Sequence, residues 1–295
     1  MTSAVSSPEL SLDDAEMSGR QGAEAALDRI APALDGVGRL GVAFSGGVDS
    51  SVLLAAAVRL LGPDRVVAVL GVSASLAADE RVAAHEVAAV IGAPLVEVVT
   101  EEGQRALYRA NGPDRCFHCK DELFTKMAEV AATHRLDAIA YGENAEDAVR
   151  SDRPGARAAT QHRVLRPLAT AGLRKADVRA LARAWSLPSA DKPAAPCLAS
   201  RIPHHHEVTP EKLRQIDQAE SALRALGLTD FRVRHHDEIA RLELAAPDLV
   251  RAVSEPLRAE IVAAVRAAGF RHVTLDLAGI QSGAFTLAAL QIVHA

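Results

Sequence analysis

Cysteine is scarce: the 295 residues hold three, Cys116, Cys119 and Cys197. That is not the framework of a small disulfide-stapled secreted fold. In a reducing compartment such thiols serve metal binding or catalysis. Aromatic residues make up only 3%, with a single Trp, although the apolar fraction of 49% is ordinary for a globular chain and is rich in Ala and Val. No run of 18 or more apolar residues occurs, so no transmembrane helix and no membrane partner are expected. There is no long basic run and the net charge is −5, which weighs against a life on nucleic acid. The N-terminal region is polar and acidic (Ser11-Leu12-Asp13-Asp14-Ala15-Glu16) and lacks the basic-then-apolar order of a signal peptide. A cytoplasmic protein is expected.

What is present is alternation. After a polar stretch, 1–20, expected to be a disordered tail, short apolar runs predict strands over 40–44, 66–70, 95–100 and 137–141. Helical spacing predicts helices over 49–61, 77–91 and 121–134. This β-α-β-α order predicts an α/β domain with a mostly parallel sheet, placed at 21–195. Residues 150–160, with Pro and Gly among charges, predict a loop, followed by a helix over 173–185. The proline-rich stretch 187–203 cannot be one regular element. Beyond it a helix over 210–226, strand-like alternation over 231–245, a helix over 247–268 and a strand over 272–277 predict a smaller α+β domain, 196–295.

The most informative short string is Val42-Ala43-Phe44-Ser45-Gly46-Gly47-Val48-Asp49-Ser50-Ser51. It follows a predicted strand and opens a predicted helix. Two glycines let the backbone turn tightly, the helix start offers free N–H groups and a positive dipole end, and three serines add hydroxyl donors. Together these make a pyrophosphate cradle. A Gly-Gly turn with Asp49 and Ser50 capping a helix would explain the glycines alone, but not the whole string between strand and helix. The lysine of a Walker A loop is absent. The string resembles the PP-loop ATP pyrophosphatase family. That resemblance implies a doubly wound sheet, cleavage of ATP between its α- and β-phosphates to adenylate a substrate oxygen, and Ser45, Gly46, Gly47, Asp49, Ser50 and Ser51 around pyrophosphate and Mg²⁺.

Longer segments narrow the resemblance: Asp114-Arg115-Cys116-Phe117-His118-Cys119-Lys120-Asp121, Tyr141-Gly142-Glu143-Asn144-Ala145-Glu146-Asp147, Asp191 to Pro203 around Cys197, and Val233-Arg234-His235-His236-Asp237. These look like the LarE family of ATP-dependent sulfurtransferases in nickel-pincer nucleotide synthesis. The likeness runs from about residue 27 to about 283. It implies a pyridinium-3,5-biscarboxylic acid mononucleotide as substrate, thiocarboxylates as product, and a homo-oligomer, hexameric in the family. A PP-loop tRNA thiolase and a zinc-bearing nucleotide sensor are the competing classes. The acidic balance speaks against the first.

Spacing alone leaves the cysteines open. Cys116 and Cys119 suit a redox dithiol, a zinc site completed by Cys197 and His118, an inert structural pair, or a cluster. The resemblance implies the cluster: members with three such cysteines hold a [4Fe-4S] centre recharged by a sulfide donor, whereas others sacrifice the sulfur of the counterpart of Cys197. It also implies that Arg232 and Arg234, on one face of a strand with Phe231 and Val233 on the other, bind the substrate phosphate. Ser200 and Arg201 should lie beside the sulfur, and Glu220 should be a functional acid. Consecutive residues His204, His205 and His206 cannot all face one point, so the run is expected to be a loop feature rather than a metal site. The chain departs from the family pattern there, at 148–152 and at 279–284.

Overall fold

Apolar runs flanked by glycine build the first sheet. The computed structural model describes residues 12–149 and 154–280, with side chains from Gln21 onward. Strands β1 (Leu40–Ala43), β2 (Val66–Val72), β3 (Leu95–Val99) and β4 (Ala138–Tyr141) lie in the order β3-β2-β1-β4, all parallel. Central β1 pairs Leu40 with both Val66 and Ala138. Helices α1 (Leu12–Ile30), α2 (Val48–Leu61), α3 (Ala78–Ile91), α4 (Arg115–His134), α5 (Pro154–Gln161) and α6 (Lys175–Ala184) accompany the sheet. The expected α/β class with a mostly parallel sheet holds. Among the described residues no helix is long and apolar enough to cross a membrane.

Helix α2 is buried all round: Val52 through Ala57 are fully inaccessible, as a helix without a polar face must be. Its alanines let the sheet and α6 close in without aromatic filler. A side chain at Gly142, just after β4, would put Cβ 2.7 Å from the backbone of Asp49 and Ser50. Glycine there lets the start of α2 sit against the sheet's edge. The single tryptophan, Trp185, ends α6, with the Arg59 guanidinium of α2 4.5 Å above its ring.

A second sheet follows. β5 (Phe231–His236) and β6 (Ile239–Leu244) form an antiparallel hairpin, and β7 (His272–Leu275) runs parallel to β6. Helices α7 (Pro210–Ala225), α8 (Ala246–Ala252) and α9 (Leu257–Ala267) pack with it around Leu223, Phe231, Val233, Leu242 and Val265. Helix α7 begins at Pro210 behind Thr209, whose hydroxyl accepts the Lys212 N–H at 3.3 Å. A further apolar cluster joins Ala77 and Tyr108 to Leu198, Ile202 and Ile216, tying the proline-rich stretch to the segment after β2 and to α7.

Several expectations are corrected. α1 begins at Leu12, within the segment read as a tail. α4 begins at Arg115, six residues before the predicted start, so both close cysteines are helical. Residues 154–161 are a helix, not a loop, with Pro154 at its first position. The predicted helix 247–268 is two, parted by residues 253–256. Residues 150–152 and 281–284, parts of the two stretches where the chain departs from the family pattern, lie outside the described residues.

His235 on β5 gives a pH prediction. It is 3% exposed, its Nδ1 accepts the Asp237 N–H at 3.2 Å and its Nε2 faces Gln215 Oε1 at 3.1 Å, a neutral imidazole with the proton on Nε2. Burial and then Lys212 hold it down to about 4, with His236 and His206 acting the same way and Asp237 opposing. The unfolded chain therefore binds one more proton between pH 6.5 and 4. Stability is fullest above pH 6.5 and should fall by about 3 kcal/mol as pH drops to 4. Urea unfolding of wild type and His235→Gln across this range checks it: the variant's profile should be flatter.

Candidate functional site

A cleft of about 710 Å³ opens at the carboxyl ends of the parallel strands. Ser45 follows β1, Ser73 and Ser75 follow β2, Glu102 follows β3 and Asn144 follows β4, and all line it. The order β3-β2-β1-β4 sends the chain to opposite sides of β1, and ligands of such sheets bind at that switch.

The loop from Ser45 to Asp49 forms the floor. Gly46 adopts φ +69°, and a Cβ there would lie 2.9 Å from Ala84 Cα. Only glycine serves both needs. Ser45, Gly47, Val48 and Asp49 face the cleft, whereas Gly46, Ser50 and Ser51 support it from behind. The Ser50 and Ser51 hydroxyls donate to Gly47 O at 3.0 and 2.9 Å, and Ser50 Oγ also accepts the Ser45 N–H at 3.3 Å. The first-turn amides of α2 point the helix's positive end into the cleft. The Asp49 carboxylate is held between Lys175 Nζ and Asn144 Nδ2, the latter at 3.1 Å. Asn144 in turn binds Asp147 Oδ2 at 2.9 Å. Carboxylates of this kind at a phosphate loop suit Mg²⁺, which takes one or two protein carboxylates plus phosphate oxygens.

Cys119 and Cys197 line the same cleft, and Cys116 lies outside its lining. Cys116 and Cys119 occupy the start of α4, and Cys197 precedes a short 3₁₀ turn, Leu198–Arg201. The three thiols lie within electrostatic reach of one another. Burial and then Cys197 push the Cys119 thiol well up. Desolvation inside the cleft raises Cys197, where Arg115 acts oppositely and Cys116 adds to the rise. Arg115 is itself buried and donates to Ala199 O at 2.8 Å, so it links α4 to the Cys197 turn. Among the described residues no three His, Cys, Asp or Glu side chains form a group that could hold a metal ion. His118 faces Asp114 at 3.1 Å, and His204 Nδ1 lies 3.1 Å from Asn111 O.

Arg201 and Glu220 form a buried two-pronged ion pair, 2.8 and 3.0 Å, and Glu220 Oε1 also accepts the Val233 N–H at 3.0 Å. Glu220 thus holds Arg201 and β5 rather than lining the cleft. Phe231 and Val233 enter the second core as expected. Arg234 pairs with Glu243 at 2.7 Å, and Arg232 reaches Ala194 O at 2.6 Å. Among the cleft residues that escaped the sequence reading are Lys175, and Lys192, which pairs with Glu80 at 2.7 Å. Lys175 left a signal. It opens α6, where a cation opposes the helix dipole unless an anion awaits it.

The asparagine synthase family model matches residues 27–139. A pyridinium-3,5-bisthiocarboxylic acid mononucleotide synthase of Lactiplantibacillus plantarum is 33% identical over 251 residues, covering 85% of this chain and 90% of that protein. The chain belongs to the LarE family. A protein of uncharacterised function from Synechocystis is 38% identical over 242 residues, 82% of this chain and 90% of its own length. The LarE resemblance read from the motifs therefore extends through both sheets, because each alignment covers more than four-fifths of the chain.

Proposed function

We propose that the chain is an ATP-dependent sulfurtransferase that converts carboxylates of a pyridinium-3,5-biscarboxylic acid mononucleotide to thiocarboxylates through an acyl-adenylate. One observation carries this reading: the phosphate loop and the thiols of Cys119 and Cys197 share one cleft. Activation and sulfur delivery then occur without release of the activated acid. The substrate carboxylate attacks the α-phosphate, and the first-turn amides of α2, Ser45 and Lys175 stabilise the departing pyrophosphate; Asp49 would hold Mg²⁺, which would neutralise further charge there. AMP is a far better leaving group from the acyl carbon than oxide, so sulfur can displace it.

Three soft thiols, two at the start of α4 and one before the Leu198–Arg201 turn, are the donor chemistry that a [4Fe-4S] cluster takes. Cys116, Cys119 and Cys197 would hold such a cluster, which would supply a nucleophilic sulfide to the activated acyl carbon. The family's sacrificial route has its own support, since Cys197 lines the cleft and Cys116 does not. There the Cys197 thiolate attacks the acyl carbon, AMP leaves, and elimination across Cα–Cβ gives thiocarboxylate and dehydroalanine.

Purified protein with ATP, Mg²⁺ and the biscarboxylic mononucleotide should yield pyrophosphate, AMP and thiocarboxylate in equal amounts by mass spectrometry. Pyrophosphate without thiocarboxylate from either iron-loaded or metal-free protein would sink the reading. Intact mass separates the routes, because sacrifice removes H₂S, about 34 Da, after the thiolate has donated its sulfur. Lys175→Ala should weaken ATP and pyrophosphate binding about tenfold, the scale of one charge-assisted hydrogen bond, with little effect on mononucleotide binding. Calorimetry with each ligand tests this.

A further inference from the structure

The wall of the cleft carries a buried carboxylate without a cation. Among the described residues Asp49, Glu80, Glu102, Glu146 and Asp147 line the cleft. Asp49 pairs with Lys175, Glu80 with Lys192 at 2.7 Å and Glu146 with Arg174 at 3.2 Å. Asp147 accepts an amide N–H of Asn144 at 2.9 Å. Glu102 pairs with no cation among the described residues. It is 2% exposed, and its Oε1 accepts the hydroxyls of Ser73 and Ser75 at 2.5 and 2.7 Å. Its Oε2 has no hydrogen-bond partner among the described residues.

Two hydroxyls offset part of the hydration that Glu102 loses, but a buried charge with no opposite charge stays costly. The groups outside this serine pair that sense its charge are Cys119 and Tyr108, and neither is a cation. Leu70, Leu76 and Leu123 line the same cleft, so the field of Glu102 is poorly screened there. Glu102 follows β3, whereas the phosphate loop follows β1, with β2 between the two strands. The cleft therefore has a positive end at the α2 amides and Lys175, and a negative end at Glu102.

We propose that Glu102 is the counter-charge for a pyridinium ring and selects the cationic ring of the mononucleotide over a neutral one. The inference rests on the substrate class proposed above. A pyridinium nitrogen substituted by ribose carries its charge with no N–H to donate. It calls for a negative charge beside an apolar wall, not for a hydrogen-bond acceptor. An ammonium or guanidinium would seek several oxygens, and Oε1 is already taken by the serines. A ring held at this end stands by Cys119 and away from the phosphate loop. Glu102 acts on which ring binds and takes no part in bond making.

The probes are nicotinic acid mononucleotide and its benzoic acid C-nucleotide, in which carbon replaces the ring nitrogen. They share phosphate, ribose and carboxylate and differ by the charge on the ring. Calorimetry on wild-type protein should show about tenfold tighter binding of the cationic probe, a modest part of what two unit charges exchange across a poorly screened gap. Glu102→Gln keeps an oxygen for the two serines and loses the charge, so the preference should vanish. Glu102→Asp keeps the charge and should retain most of it. Equal affinity of wild type for the two probes overturns the inference, whether or not a variant folds. A preference that survives in Glu102→Gln overturns it as well. If wild type binds ATP but neither probe, the substrate class fails and the counter-charge with it. Binding of both probes with no preference leaves the substrate class standing and removes Glu102 alone.

Discussion

Asp49→Asn should reduce pyrophosphate release from ATP by about 10²–10³-fold, the usual loss when one group that stabilises transition-state charge is removed. The carboxylate stands in the first turn of α2, between Lys175 and Asn144, at the mouth of the phosphate loop. Asparagine keeps the shape but not the charge. It loses the ligand for a cation on the departing pyrophosphate and leaves Lys175 to bind ground-state phosphate instead. The substitution lies on a partly exposed side chain, 21% accessible, so the melting temperature should move by only a few degrees. A coupled pyrophosphate assay beside thermal unfolding decides it. Release within about threefold of wild type would remove Asp49 from the chemistry.

On the cluster reading proposed above, replacing any one of Cys116, Cys119 and Cys197 by Ala should abolish thiocarboxylate formation and iron binding together. Pyrophosphate release should persist, because the Ser45–Asp49 loop belongs to a different element from all three cysteines. The reason is additive geometry: a cluster that already has one iron without a protein ligand does not survive with two. Iron and acid-labile sulfide analysis after anaerobic purification gives the first readout, and single-turnover product mass the second. If only Cys197→Ala is inactive, and the other two variants turn over once with loss of H₂S, the sulfur came from Cys197 itself.

The strands and the loop at Ser45 were legible because short apolar runs meeting glycine leave little choice of structure. The start of α4 was not. Its first turns, Arg115 to Lys120, carry no apolar period, and Asp114 precedes them without a side-chain capping bond. Helix 154–161 was read as a loop because Pro154 and Gly155 suggested a turn. Proline is tolerated at the first helical position, and Gly155 lets the Lys120 side chain lie against the helix, where a Cβ would meet it at 2.7 Å. The thiols were legible as a set through scarcity. The bonds from Arg232 to Ala194 O and from Arg115 to Ala199 O were invisible, since side chain to carbonyl bonds between distant segments leave no periodic trace.

The scarcity of aromatic rings makes this chain a simple optical system. Trp185 closes α6, and Lys175 opens the same helix at the phosphate loop. The helices around the second sheet hold no tryptophan and no tyrosine. Indole emission, already shaped by the Arg59 guanidinium over the ring, therefore reports on the first half alone. The second half melts in the dark, so any gap between fluorescence and circular dichroism transitions measures how independently the two halves unfold.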